Sequence, residues 1–249
     1  MPITSDYKTD VGQSRPHNED YVWVDEDAGI FIVADGMGGH EAGETASLIT
    51  ATTAANSMRE DIARQMEPIA GSVIKRLMFK ALESSNQAVL AEANRDGQSR
   101  KMGATIVMSY VRSPYIYICH AGDARAYLAR ENQLTQLTQD DSFVAELVAA
   151  GVISNDEAKN HPYLPIVTQA VGQEQPLEPT FTELTLAPHD WIVLCSDGLT
   201  GMIDEDMILA HLQQANGDPT VVVESLTQAA NEAGGTDNIS VIAICVSPD

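Results

Sequence analysis

The stretch Ile30-Phe31-Ile32-Val33-Ala34-Asp35-Gly36-Met37-Gly38-Gly39-His40 decides the fold predicted for this chain. Its first five residues are apolar and rich in β-branched side chains, which is typical of a buried strand. The run then ends in Asp-Gly and two more glycines, which allow close backbone approaches that a Cβ would prevent. The sequence therefore predicts a buried strand that delivers the carboxylate of Asp35 to its own end, as a ligand site requires.

The same pattern, an apolar strand followed by Asp-Gly, recurs at residues 191–198 and places Asp197 at a second strand end. Asp123 lies between two further strand-like runs, and Asp237 precedes the run 239–246. Each acid alone could be a turn residue, because Asp favours turns through local hydrogen bonds. Together they indicate a cation site, since clustered carboxylates repel each other unless they are protonated or bridged. Oxygen ligands favour Mg²⁺, Mn²⁺ or Ca²⁺ over zinc or copper.

Composition limits the number of domains and the class of partner. The 249 residues are 44% hydrophobic, enough for one large domain spanning residues 1–249. Fourteen basic residues against 36 acidic ones give a formal net charge of −22. Nucleic acid and anionic membranes repel such a surface, which excludes them as main partners. We expect a monomer.

The chain also carries signals of its compartment. No apolar run approaches the roughly 20 residues needed to span a bilayer, and residues 1–10 lack the basic-then-apolar pattern of a secretory signal. The cysteines Cys119, Cys195 and Cys245 lie in apolar runs without metal-type spacing. They are expected to be buried free thiols in a reducing compartment. The sequence predicts a cytoplasmic protein without a zinc site.

The order of predicted elements favours an α+β fold. Two long helices follow the Asp35 strand, from about residue 41 to 66 and from about 68 to 94, and the second has apolar residues at three-and-four spacing. Four short strand-like runs within residues 103–137 follow in the pattern of an antiparallel meander. A helical insertion from about residue 140 to 171 then interrupts the strands. Two more helices precede the final strand.

Arg15 lies with Glu19 and Asp20 on a polar loop before a strand-like run. An arginine beside a cluster of hard-cation ligands suits phosphoryl chemistry, because its fork grips phosphate oxygens while bridged cations activate a water. Arg15 is the candidate for that grip. The alternative is a surface arginine that merely pairs with Glu19 or Asp20.

Six motifs in this order resemble the metal-dependent serine/threonine protein phosphatases of the type 2C family, in their bacterial single-domain form. They are RPHNED at 15–20, VADGMGGH at 33–40, MGAT at 102–105, GDAR at 122–125, LCSDGL at 194–199 and GGTDNI at 234–239. The resemblance covers nearly the whole chain. It implies a four-layer αββα sandwich of two antiparallel sheets flanked by helix pairs, with the insertion as a mobile flap. It also implies hydrolysis of phosphoserine and phosphothreonine in proteins by a metal-activated water, the substrates being products of a serine/threonine kinase.

The resemblance further implies a set of metal ligands. Asp35 would bridge two Mg²⁺ or Mn²⁺ ions, and the carbonyl of Gly36 would bind one of them. Asp197 and Asp237 would complete the coordination of the other ion. Asp123 matches the position that helps to hold a third, weaker ion in bacterial members.

The resemblance places other residues around these ions, with some departures from the family. Glu19 and Asp20 would act on metal-bound waters, and Arg15 would bind phosphate. Met37 stands where many eukaryotic relatives carry a histidine proposed as general acid, and His40 is a poor substitute for it. Protonation of the leaving group must therefore come from elsewhere, for example from metal-bound water.

The insertion departs from the family pattern as well. Asp141, Pro165 and Gln169 replace residues that are commonly His, Asn and Arg in bacterial members. Substrate docking at the flap of this chain is therefore expected to differ from that of its relatives.

Two other functions compete with this interpretation. Cys119 and Arg125 have the Cys-x5-Arg spacing of cysteine-dependent tyrosine phosphatases, a short motif with many false positives. That chemistry needs a thiolate in a phosphate-cradling loop at a helix N-terminus, whereas Cys119 follows an apolar strand and Asp123 would add negative charge there. The second is a non-catalytic phosphopeptide-binding regulator on the same fold, which would not need a complete acid cluster.

Overall fold

The structure, a computed structural model, describes residues 1–39, 41–95, 101–158 and 161–248. His40 and residues 159–160 of the predicted insertion lie outside the described residues. The strands are β1 (Ile3–Asp10), β2 (Asp20–Asp25), β3 (Ile30–Met37), β4 (Gly103–Arg112), β5 (Tyr115–Ala121), β6 (Arg125–Arg130), β7 (Gln133–Gln136), β8 (Thr180–Thr185), β9 (Trp191–Cys195) and β10 (Ile239–Val246). The helices are α1 (Glu41–Ala63), α2 (Gly71–Ala93), α3 (Phe143–Ala149), α4 (Asn155–Ala158), α5 (Asp197–Thr200), α6 (Glu205–Gln214) and α7 (Pro219–Glu232).

Two five-stranded antiparallel sheets form the centre of the molecule. Sheet A has the order β1-β10-β9-β6-β7, and sheet B has the order β2-β3-β4-β5-β8. One apolar layer joins α1 and α2 to sheet B, a second joins α5, α6 and α7 to sheet A, and a third lies between the sheets. The predicted α+β class and the four-layer αββα sandwich are confirmed.

Strand β3 shows why its sequence is a continuous apolar run. Side chains alternate between the two faces of a strand, so Ile32 and Ala34 contact the layer under α1 and α2. Phe31 and Val33 point the other way, into the layer between the sheets. All four are 0% exposed because β3 is covered on both faces.

The predicted meander within residues 103–137 was wrong. β4 pairs with β5 in sheet B, whereas β6 pairs with β7 in sheet A. The chain crosses from one sheet to the other at Gly122, whose φ is +105° and where an added Cβ would lie 2.5 Å from Cβ of Thr105. Only glycine fits such a turn. Periodicity identifies strands but does not say which sheet each one joins.

Two elements were not predicted from the sequence. Strand β1 contains two aspartates and a lysine, residue types that are depleted in strands. It is held by antiparallel pairing with β10 from Ile3 to Asp10 rather than by local propensity. The short helix α5 begins at Asp197, directly after β9.

The insertion lies between β7 and β8 and contains α3 and α4. Its two ends pair with each other: the Phe143 amide donates to the Ile166 carbonyl at 2.9 Å, and the Thr168 amide donates to the Asp141 carbonyl at 2.7 Å. We call this paired region the stem of the insertion. The stem is joined to sheet B on one side, where Val171 and Ala104 form a β-bridge.

Candidate active site

Sheet B brings two of the predicted acids face to face. Asp20 and Asp35 are direct partners across the antiparallel pair of β2 and β3, and Thr105 is the partner of Asp35 on β4. β3 was predicted to end at Asp35, but it continues to Met37 because its last residues pair with β4. The carboxylate of Asp35 therefore lies on a strand that has paired neighbours on both sides.

Sheet A supplies two more acids at the same end of the sandwich. Asp197 follows the end of β9, and Asp237 precedes the start of β10. β9 and β10 are antiparallel neighbours, with Cys195 opposite Val241, so Asp197 and Asp237 lie at the same end of the sheet. Arg15 joins them, because its Nη2 donates to Oδ2 of Asp237 at 2.6 Å.

Electrostatic interactions connect the acids of the two sheets. Burial raises the pKa of Asp35 well above its ordinary value, and the charges of Asp20, Asp197 and Asp123 raise it further. Burial also raises the pKa of Asp197, as does the charge of Asp237. Each carboxylate thus opposes the ionisation of its neighbours. Negative charge is crowded at this end of the sandwich.

Asp20 and Asp123 are perturbed in the same direction. Burial raises the pKa of Asp20 from 3.8 to about 7, although hydrogen bonds from serine side chains oppose the shift. Burial likewise raises the pKa of Asp123 from 3.8 to about 7, with further contributions from the charges of Asp197 and Asp140. Asp123 belongs electrostatically to the same cluster as Asp35, although the turn that carries it crosses between the sheets.

These residues fit a divalent cation. Oδ1 of Asp20 and Oδ1 of Asp197 are buried oxygens without a hydrogen-bond partner among the described residues. Buried polar atoms normally have a partner, so such oxygens indicate a ligand position. Hard oxygen donors suit Mg²⁺ or Mn²⁺. Among the described residues, no three His, Cys, Asp or Glu side chains are already arranged as a metal-ligand shell.

The backbone around Gly36 is too crowded for any other residue. An added Cβ would overlap the carbonyl oxygen of Gly43 and would lie 2.5 Å from the carbonyl oxygen of Glu19. The amide of Gly36 donates to that same Glu19 carbonyl at 3.1 Å. The loop that carries Arg15 and Glu19 is thereby attached to the end of β3.

The cysteine-dependent alternative is excluded by the geometry. Cys119 is 0% exposed within β5, and burial raises the pKa of its thiol far above its ordinary range. The guanidinium of Arg125 makes two hydrogen bonds to Asp140, at 2.8 and 2.6 Å. No helix follows Cys119, because the chain continues into β6. A buried neutral thiol and an occupied arginine cannot form a phosphate-binding loop.

The structure shows where the residues that depart from the family pattern lie. Met37 is the last residue of β3 and carries no transferable proton. Asp141 accepts a hydrogen bond from the amide of Gly122 at 3.0 Å, and Gln169 exchanges two hydrogen bonds with the backbone of Glu178. Pro165 is exposed. Asp141 and Gln169 thus hold the base of the insertion.

Two further polar residues were not assigned a role from the sequence. Ser196 donates through Oγ to Oδ2 of Asp20 at 2.8 Å, and Asn238 is a buried amide beside Asp237. Both lie inside quoted motifs, directly beside a predicted ligand. Their position next to Asp197 and Asp237 was the only sign of a role, because their hydrogen-bond partners are distant in the sequence.

Comparison with known proteins bears on the whole chain. A family model described as Protein phosphatase 2C matches residues 12–232. Protein phosphatase PhpP of Streptococcus pneumoniae is 36% identical over 250 residues, which cover 97% of this chain and 96% of PhpP. Five of the six motifs quoted above lie within the residues that the family model matches, and the motif at 234–239 follows them.

Solved structures agree at the level of the fold. The crystal structure of the Mycobacterium tuberculosis serine/threonine phosphatase PstP/Ppp has a TM-score of 0.87 and 32% identity, with 99% of both chains covered. The catalytic domain of PstP in complex with two manganese ions has a TM-score of 0.84 and 29% identity, again with 99% of both chains covered. The architecture of both proteins matches that of the present chain.

Proposed function

The chain belongs to the protein phosphatase 2C family and is a metal-dependent serine/threonine protein phosphatase, and we propose that the carboxylates of Asp35, Asp197 and Asp237 form its active site. The observation that carries this proposal is the meeting of acids from two sheets at one end of the sandwich. Their mutual repulsion and the orphaned oxygens of Asp20 and Asp197 support a cation position there.

The enzyme depends on Mg²⁺ or Mn²⁺. We assign the side chains of Asp35, Asp197 and Asp237 and the carbonyl of Gly36 to two ions, and Asp123 to a third. When bound, such ions lower the pKa of coordinated water and neutralise charge on the transferring phosphoryl group. The chain contributes oxygen donors from residues at or beside the ends of β3, β9 and β10.

Arg15 and the acids beside it act on the substrate side of this cluster. The guanidinium of Arg15 is half exposed and reaches Asp237, so it can exchange that partner for a phosphate oxygen without crossing the fold. We assign Glu19 and Asp20 to orienting water near the ions. Asp20 is suited to this role because Ser196 holds one of its oxygens while the other has no partner among the described residues.

We further propose that residues 1–249 form one catalytic domain that acts as a monomer, with residues 140–171 as its flap. Its substrates are phosphoproteins, and we propose that a serine/threonine kinase produces them. The net charge of −22 supports neither nucleic acid nor membrane as a partner. No helix within the described residues could span a bilayer. The three free, buried cysteines support a cytoplasmic location.

A comparison of chelation with thiol alkylation tests this function. Hydrolysis of p-nitrophenyl phosphate and phosphothreonine peptides should require Mn²⁺ or Mg²⁺, disappear in EDTA and survive iodoacetamide. Activity that resisted EDTA and disappeared with iodoacetamide would favour Cys119 instead. The absence of turnover of both substrates at every metal concentration would favour the non-catalytic alternative.

Substitution of the ligands tests the site itself. Asp35→Asn and Asp197→Asn should each lower kcat by about a thousandfold or more, because each removes a charge that binds a cation. Asp61→Asn is the matched control, since Asp61 is also buried but lies near the C-terminal end of α1, where it pairs with Lys80 of α2. Calorimetry should show weaker Mn²⁺ binding in the first two variants only. Unchanged stoichiometry and affinity in both would contradict the assignment.

A further inference from the structure

Asn238 makes an unusually complete set of hydrogen bonds beside the proposed active site. Its Oδ1 accepts from the amide of Glu19 at 2.8 Å. Its Nδ2 donates to the carbonyls of Val11 and His17, both at 2.9 Å. The side chain is 4% exposed, so water does not compete for these bonds. One side chain therefore satisfies three backbone groups of a single loop, residues 11–19, which we call the Arg15 loop.

The same residue is part of a chain of contacts that joins the two sheets. Its own amide donates to Oδ1 of Asp237 at 2.8 Å, at the start of β10 in sheet A. Glu19, which Asn238 holds, also contacts sheet B, because its carbonyl accepts a hydrogen bond from the amide of Gly36 on β3. Asp237 and Gly36, proposed ligands on different sheets, are thus connected through Asn238 and Glu19.

We propose that Asn238 is a positioning residue that fixes the Arg15 loop and so aligns the phosphate-binding guanidinium with the carboxylates of both sheets. This inference rests on the proposed function of Arg15. Within the loop, Arg15 lies between the anchored carbonyls of Val11 and His17. Its Nη2 reaches Oδ2 of Asp237, and the preceding amides of Gln13 and Ser14 donate to the carbonyl of Gly235.

The chemistry of a carboxamide explains why asparagine is needed. The position requires one acceptor for an amide and two donors for carbonyls at opposite ends of a short planar group. Aspartate keeps the shape and can still accept from the Glu19 amide, but it has no donor. Its carboxylate would therefore repel the carbonyls of Val11 and His17. Alanine removes all three bonds and leaves the loop backbone unsatisfied. Asn238→Asp therefore separates the donor function from mere space filling.

Kinetics and hydrogen exchange together test this role. Asn238→Ala and Asn238→Asp should each raise KM for p-nitrophenyl phosphate and phosphothreonine peptide about tenfold, with a smaller fall in kcat, as expected for the loss of charge-assisted bonds to Arg15. In the metal-free protein, amides of residues 11–19 should exchange faster in both variants. This second measurement does not depend on activity.

A double-mutant cycle separates positioning from general destabilisation. If Asn238 acts through Arg15, Arg15→Ala should raise KM much less in the Asn238→Ala background than in the wild type. Asn86→Ala is the matched control. Asn86 is also 4% exposed, and it bonds the Gln173 carbonyl and the Gly172 amide rather than any group of the Arg15 loop. It should lower thermal stability without changing KM or exchange in residues 11–19.

Additive effects on KM, or unchanged KM and exchange in Asn238→Asp, would overturn the inference. Should Asn238→Ala not fold, Asn238→Asp alone decides, because it keeps the volume and the bond to Glu19. The failure of these tests for Asn238 would leave the active-site assignment intact, provided that the wild type is active in Mn²⁺ and the Asp35→Asn variant is inactive. An inactive wild type would instead contradict the assignment, while hydrogen exchange would still test Asn238.

Discussion

Asp123 differs from the other acids of the cluster in what surrounds it. Asp35 has paired strands on both sides, whereas Asp123 lies on the turn where the chain crosses between the sheets. Its neighbours are the charges of Asp197 and Asp140 and the guanidinium of Arg125. One carboxylate on a turn, completed by waters, is expected to bind a hard cation only weakly. Occupancy of the proposed third ion and catalysis can therefore be separated by experiment.

Asp123→Ala should leave the fold and the two inner ions in place but lower kcat by about tenfold or more, because it removes one ligand of a weak ion. The Mn²⁺ concentration that gives half-maximal rate should rise. Calorimetry combined with a Mn²⁺ titration of the rate measures both effects. Asp218→Ala, which removes only the cap of α7, should leave the titration unchanged. A variant with wild-type rates at every Mn²⁺ concentration would make Asp123 a simple turn residue.

The sequence identified the acids but not the residues that hold them. Asp35 and Asp197 stand out because each follows an apolar run and precedes glycine. Asn238 has no such signature, since its bond to His17 spans 221 positions. The bond from Ser196 to Asp20 spans 176 positions. Roles that depend on contacts at such separations follow from the topology of the sheets and could not be derived from local pattern.

Among the elements, the strands buried on both faces were predictable, whereas the polar strand β1 was not. β3 and β10 are continuous apolar runs because each is covered on both faces. β1 depends on its pairing with β10, and the pairs β4–β5 and β6–β7 depend on a sheet change at Gly122. The sheet change matters for the site, because it carries Asp123 towards the acids of sheet A.

A buried histidine bonds the chain just before the insertion and the strand that follows it. Nε2 of His120 donates to the carbonyl of Gln139 at 2.7 Å, which leaves Nδ1 to accept from Oγ1 of Thr180 at 2.6 Å. Gln139 precedes the insertion, and Thr180 begins β8 after it. His120 is 2% exposed on β5. The residue that precedes the insertion is therefore anchored to sheet B by the side chain of His120.

His120→Leu should lower the free energy of unfolding by about 1–3 kcal/mol, because it leaves the Gln139 carbonyl and the Thr180 hydroxyl without their partner. Limited proteolysis within residues 143–158 should become faster at the same time. Ser109→Ala is the control, since Oγ of Ser109 is buried in the adjacent β4 with no hydrogen-bond partner among the described residues. Equal proteolysis rates in the His120 variant and the wild type would show that the insertion is anchored by its stem alone.

At the scale of the whole molecule, charge repulsion is concentrated where the two sheets end. The chain carries a formal net charge of −22, and its most perturbed carboxyl groups are those of the proposed active site. Burial raises the pKa of Asp20 and of Asp123 from 3.8 to about 7. The fold therefore binds these protons more tightly than the unfolded chain does. Stability, acidity and cation binding are linked through one cluster.

The sign of this linkage gives a prediction for the metal-free enzyme. Between about pH 4 and 7 the folded state holds protons on Asp20 and Asp123 that the unfolded state has lost, so stability falls as pH rises through this window. The melting temperature in EDTA should be lower at pH 7.5 than at pH 5 by about 5 °C or more. Saturating Mn²⁺ should reverse the order, because the cation binds the ionised carboxylates and only in the folded state.

Thermal unfolding at the two pH values, with and without Mn²⁺, measures this effect. General repulsion among surface acids acts in the same direction in EDTA, so a variant must isolate the cluster. Asp20→Asn combined with Asp123→Asn should reduce the pH dependence, because the asparagines do not titrate, while Asp35 and Asp197 still contribute to it. Asp61→Asn, outside the cluster, should keep it. Equal stability of the metal-free wild type at pH 5 and pH 7.5 would mean that these carboxyl groups ionise in the folded state without a cost in free energy. Repulsion within the cluster would then not explain why the site needs a cation.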